Sequence, residues 1–99
     1  MSDRALKKVS FVLYVLNAPQ ALREDILSSA SPTLLKLIGE IILNISVGNL
    51  QGRDFLHQYK SECKTILRRS QSVKRKRETI LNQSNDFFKQ LAQILQRYA

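Results

Sequence analysis

The chain has one cysteine, one histidine, two prolines, three glycines and no tryptophan in 99 residues. A single cysteine, Cys63, excludes an internal disulfide and any thiolate-rich zinc site. A single histidine, His57, excludes paired imidazoles, and HExxH, a glycine-rich phosphate loop and a GxSxG elbow are all missing. Cys63 and His57 stand about 240° apart around a helix, so they do not meet as nucleophile and base. We therefore expect no enzyme, no cofactor and no metal, with Cys63 in the core and His57 on a surface. The uncharged run over residues 41–52 is too short to span a bilayer, and membrane attachment is not expected. The N-terminal MSDRALKKVSFVLYVLNA echoes a secretion signal but lacks a small-residue cleavage site and suits an amphipathic helix better, so the expectation is an intracellular, unsecreted chain.

What the chain has is positive charge, unevenly placed. The net charge is +8, and residues 1–51 carry five Lys/Arg against four Asp/Glu whereas residues 52–99 carry eleven against four. Nearly all the excess belongs to the second half, which suggests a polyanionic partner.

Apolar residues recur at spacings of three and four, and no stretch alternates strictly, so the fold class is all-α. We expect one helical domain over residues 1–99, a compact bundle of four to five helices. The first helix spans about residues 3–17, with Leu6, Val9, Leu13 and Leu16 on one face, and Asn17-Ala18-Pro19 ends it. A short second helix, about 19–29, opens on Pro19 and turns Leu22, Ile26 and Leu27 inward. Ser31-Pro32 is a start signal and Gly48-Asn49 a stop. Between them TLLKLIGEIILNISV is apolar almost all round, with Lys36, Glu40 and Asn44 as a narrow polar stripe. This helix, about 32–47, is expected at the centre. Gly39 inside it costs about 1 kcal/mol against alanine, which points to a close crossing by another helix.

A fourth helix is expected over about 53–69, with Phe55, Leu56, Tyr59, Cys63, Ile66 and Leu67 packing. Arg53, His57, Lys60, Lys64 and Arg68 fall in an arc of roughly 80° on another side. Ser70-Gln71-Ser72 turns the chain, Ser72 caps, and a fifth helix begins at Val73 with Lys74-Arg75-Lys76-Arg77. Cations at a helix start oppose its dipole by about 0.3–1 kcal/mol each, so local stability did not place them there. The polar stretch 82–86 can interrupt this fifth helix, whose last part is FFKQLAQILQRYA, with an apolar face of Phe87, Phe88, Leu91, Ile94, Leu95 and Tyr98 that suits a core or self-association more than a membrane surface.

The segment RRSQSVKRKR, residues 68–77, holds six cations and no acid. A solvated helix face or a short nuclear-import signal has the same look. Antiparallel packing of the two helices around the turn would instead gather the cations into one surface complementary to backbone phosphates. The helices offer Lys and Arg rather than amides, which argues against base-specific readout. The aromatics Phe55, Tyr59, Phe87 and Phe88 have core spacing rather than that of a stacking platform.

The succession ALREDILSSASPTLLKLIGEIILNISVGNL, then a basic stretch, then SVKRKRETILNQ and an aromatic-apolar segment, resembles a family of small basic proteins of Polinton/Maverick-type elements and adintoviruses. The matching positions are residues 30–32, Glu40, Leu43-Asn44, Gly48-Asn49-Leu50 and residues 72–77, and the likeness covers about residues 12–90. It implies a virion core protein that condenses a genome. Where that family places glycines after the basic block, Ser84-Asn85-Asp86 stands here, which favours further helix over a glycine-hinged tail.

The expected function is non-enzymatic, sequence-nonspecific binding of double-stranded DNA through Arg53, Lys60, Lys64, Arg68, Arg69, Lys74, Arg75, Lys76 and Arg77, with Ser70 and Ser72 adding hydrogen bonds to phosphate. The expected location is the nucleus or a virion. The alternative is a helical protein-interaction or assembly module, self-associating, with the basic block as a nuclear localisation signal.

Overall fold

A computed structural model describes residues 8–97, all of whose regular structure is helical. The elements are α1 (Val9–Asn17), α2 (Gln20–Ser28), α3 (Pro32–Ser46), α4 (Arg53–Gln58), α5 (Lys60–Leu67), α6 (Val73–Leu81) and α7 (Asn85–Gln96). The all-α class holds, but there are seven helices among the described residues where four to five were expected. The expected start of the first helix and the positions Leu6 and Tyr98 lie outside the described residues.

Helix α3 occupies the centre, as its composition dictates. Its start is the Ser31 cap with Pro32 following, the Ser31 hydroxyl accepting from the Leu34 amide at 3.5 Å. Leu34, Leu35, Leu37, Ile38, Ile41, Ile42 and Ile45 are all buried, and α1, α4, α5 and α6 pack around it. The stop is a Schellman motif: Gly48, at φ +88°, donates its amide to the Ile45 carbonyl, and the Asn49 amide donates to the Asn44 carbonyl at 2.8 Å. Left-handed backbone at that point explains a glycine there. Asn44 departs from the expected polar stripe, because it is buried. Its side chain donates to the Glu40 carbonyl at 2.7 Å and accepts from Asn49 at 2.9 Å, so its polar atoms are satisfied where they lie.

The other long apolar face belongs to α7, where Phe87, Phe88, Leu91, Ala92, Ile94 and Leu95 are all buried and α1 is its principal neighbour. That face closes the core. On α1 the inward positions are Val9, Val12, Val15 and Leu16, while Leu13 is half-buried. Val9 and Leu16 are buried as expected, and Val12 and Val15 widen the stripe beyond Leu13, because α1 packs on both α3 and α7 and needs a wider apolar arc than one row provides. On α2, Leu27 is buried and Leu22 is 41% exposed, against expectation. Its place in the interior is taken by Arg23, at 6% exposure.

Two further corrections concern the second half. The expected fourth helix is broken at Tyr59 (φ −116°, ψ 37°) into α4 and α5, and it ends at Leu67. The break follows the aromatic packing: Tyr59 lies 5.0 Å edge-on to Phe87 and 5.3 Å from Phe55, and its hydroxyl donates to Asp86 at 2.9 Å. Holding the ring on α7 and the phenol on Asp86 turns the backbone there. The close crossing expected at Gly39 is instead at Gly52, where an added Cβ would stand 2.7 Å from Ile94 Cδ1 and 3.0 Å from Ile45 Cγ2.

No single helix among the described residues is long and apolar enough to cross a membrane. The α2–α3 pair reaches the length and composition only across a 114° bend, and the apolar residues of α3 are the core.

Candidate nucleic-acid interface

Helices α5 and α6 pack against each other through the connection over residues 68–72 and form a hairpin. Two carboxylates, Glu62 and Glu78, stand among eight Lys/Arg from Lys60 to Leu81, so the hairpin carries +6. Its inner side is set by Cys63, Ile66 and Ile80, which are buried in the common core. That anchoring fixes which positions face out.

The turn is built by backbone and hydroxyl bonds. The Gln71 amide donates to the Arg68 carbonyl at 3.1 Å, and the Ser72 hydroxyl accepts from the Arg75 amide at 3.1 Å as the cap of α6. Thr79 ties its hydroxyl back to the Arg75 carbonyl at 2.8 Å. Helix α6 therefore starts where the cap directs, with Lys74 and Arg75 projecting in its first turn and no acid there to offset them.

Lys60, Lys64, Arg68, Arg69, Ser70, Ser72, Lys74 and Arg75 are all exposed, and the structure groups them along the hairpin and its turn. Among the described residues none of the six cations in that set is paired with a carboxylate. Arg53 lies on α4 and borders a shallow cleft with Leu56, His57 and Lys60, so it extends the basic surface past the Tyr59 break. His57 is exposed, as expected.

Two cations behave differently from the rest. Lys76 is half-buried and lines a groove against α3. Arg77 turns inward: its Nη2 donates to the Ala30 carbonyl at the α2–α3 connection, and its Nε is buried without a partner. Arg77 therefore ties α6 to the α2–α3 turn and does not share the surface of Lys74 and Arg75. Four cations in succession span more than half a helical turn, so one of them must face the body of the protein.

Sequence reasoning missed Arg23 altogether. Its guanidinium lies 4.1 Å over the Phe88 ring, with Nη1 donating to the Ala18 carbonyl at 3.2 Å and Nη2 to Asn85 Oδ1 at 2.5 Å. Burial pulls its pKa down from the usual arginine value, with Glu24 opposing. Cys63 is buried and free, and burial, with Glu62 adding to it, pushes its thiol up to about 11, so it is neither a thiolate nucleophile nor a ligand at neutral pH.

No protein-family model, curated protein or solved structure matches this chain.

Proposed function

We propose that this protein binds double-stranded DNA without regard to sequence, gripping backbone phosphates with the α5–α6 hairpin. The observation that supports this reading most is the start of α6, where Ser72 caps the helix and holds two exposed cations, Lys74 and Arg75, with no acid in the first turn, at the end whose dipole disfavours them. Lys60, Lys64, Arg68 and Arg69 extend the same surface, and Arg53 flanks it. The exposed Ser70 and the Ser72 hydroxyl supply hydrogen bonds to phosphate beside the charges. Such a grip acts on a genome in a nucleus or virion, in keeping with the resemblance to the Polinton/Maverick and adintovirus proteins and with a condensing, virion-core role.

The test is fluorescence anisotropy with a random 30-base-pair duplex over a salt series. The comparison is wild type against a Lys74→Glu, Arg75→Glu, Arg69→Glu triple variant, with Arg77 left intact because it holds the α2–α3 turn. Micromolar or tighter binding, a log–log salt slope of roughly −4 to −7, and loss in the variant are expected. Equal binding by both proteins would remove the hairpin from the interface.

A second reading, a helical assembly module with the basic block as an import signal, is favoured by Phe11 and Tyr14, which stand 50% and 59% exposed one turn apart on α1. Sedimentation of the nucleic-acid-free protein decides it. A dimer lost on Phe11→Glu, together with no affinity for DNA, would put this reading first.

A further inference from the structure

An apolar groove of about 200 Å³ runs between α3 and the α5–α6 hairpin. Leu35, Gly39 and Leu43 of α3 form one side, and Ile66 and Val73 of the hairpin form the other. Leu43 and Val73 are 46% and 42% exposed at its edges. Lys36 and Lys76 border it from opposite sides.

Gly39 is the telling residue. Its backbone is not left-handed, and a Cβ there would meet only Ile66 Cγ2, at an ordinary contact distance of 3.9 Å. Alanine would fit, and alanine is the better helix former. Neither backbone geometry nor internal packing calls for glycine, so what the missing side chain does is keep the floor of the groove open.

We propose that this groove receives an amphipathic, acidic helical segment of a partner protein, seating an aliphatic side chain over Gly39 and directing carboxylates to Lys36 and Lys76. The volume argues for side-chain anchors, since it falls below the roughly 300–1,000 Å³ of sites for free small molecules. Apolar anchors one turn apart are how such helices engage a groove. Two lysines at the border, on a chain of net charge +8, select an acidic segment over a basic one. Glu40 also borders the groove, so the carboxylates of the occupant are directed away from it.

The probe is a synthetic 16-residue helical peptide with two leucines four positions apart and glutamates flanking them, titrated by anisotropy against the full chain at physiological salt. Binding on the order of 10 µM is expected, weakened about tenfold or more when both leucines become alanine. Gly39→Leu, which fills the floor, should weaken binding about as much, with a thermal melt to show that the variant is folded. Lys36→Glu with Lys76→Glu leaves the floor intact and should reject this peptide yet accept one in which lysines replace the glutamates. Undiminished binding of the alanine peptide would reduce the attraction to net charge and overturn the proposal. So would full affinity in folded Gly39→Leu, absence of binding at 200 µM peptide, or displacement of the peptide by equimolar dodecanoate.

Discussion

Helices α3 and α6 begin in the same way and serve opposite ends. Each opens on a serine whose hydroxyl accepts from an amide three residues on, Leu34 for Ser31 and Arg75 for Ser72. Beyond the cap they diverge: α3 buries eight residues and α6 only Ile80. A cap fixes where a helix starts, whereas the residues after it decide whether the helix carries the core or carries charge. The largest expected effect exploits that divergence. Ile42→Ala in α3 should cost about 2–5 kcal/mol in urea unfolding, whereas Val73→Ala at the start of α6 should stay within about 0.5 kcal/mol. Equal losses would mean that α6 is as integral to the core as α3. Alkylation of Cys63, neutral and buried in the native protein, reports the same unfolding independently.

Two arginines sharpen the contrast. Arg23 is buried against Phe88, Ala18 and Asn85, while Arg75 is exposed on the hairpin. Arg23→Ala should cost about 2–3 kcal/mol, because it strands a carbonyl and an amide oxygen and empties the space over the ring. Arg75→Ala should leave the melt unchanged and reduce DNA affinity, with a salt slope shallower by about one. An Arg23→Ala protein that melts like wild type would show that the cation over Phe88 contributes nothing net.

The caps give a smaller, cleaner pair. Ser31→Ala and Ser72→Ala should each cost about 1 kcal/mol. Ser72→Asp should cost almost nothing, since aspartate caps as well as serine and its charge suits a helix start. That same charge enters the proposed phosphate grip, so DNA binding should weaken while the melt holds. Wild-type affinity in folded Ser72→Asp would place the grip away from the turn.

The sequence makes some of this legible and hides the rest for identifiable reasons. Start and stop of α3 and the start of α6 rest on local chemistry, Ser-Pro, Gly-Asn and Ser-x-x, and those appear where expected. The break at Tyr59 is hidden because Phe55, Tyr59 and Cys63 keep helical spacing across it. Its cause is Phe87 and Asp86, on a helix that begins more than twenty residues later. Burial of Arg23 depends on Asn85, sixty-two residues away, and an arginine followed by Glu24 and Asp25 reads locally as part of a solvated face. Gly52 sits between helices, and a Cβ there would crowd Ile94 Cδ1 at 2.7 Å and Ile45 Cγ2 at 3.0 Å, neighbours that come together only in the fold. Arg77 shows the limit for the site itself: a run of four cations is visible, but which one turns inward depends on the placement of the α2–α3 turn.

The smallest effect belongs to the polar contact that secures the break. Asp86 accepts hydrogen bonds from Gln90 at 2.6 Å and from the Tyr59 hydroxyl at 2.9 Å, and these, with Gln58, hold its carboxyl below the ordinary carboxylate value despite its exposure. A folded value below the unfolded one means that its contribution is complete above the unfolded value and disappears as pH falls through the folded one. Burial raises the Tyr59 phenol above its ordinary 10.0, so its contribution is complete below that pH and disappears as pH rises through the folded value. Stability should therefore be flat between the two limits as far as this pair is concerned, with a shallow decline at the acid end that Asp86→Asn abolishes. The α5–α6 hairpin, which does not include Asp86, should bind DNA equally well in the variant. A variant that kept the wild-type acid decline would show that the Asp86 carboxylate contributes nothing to it.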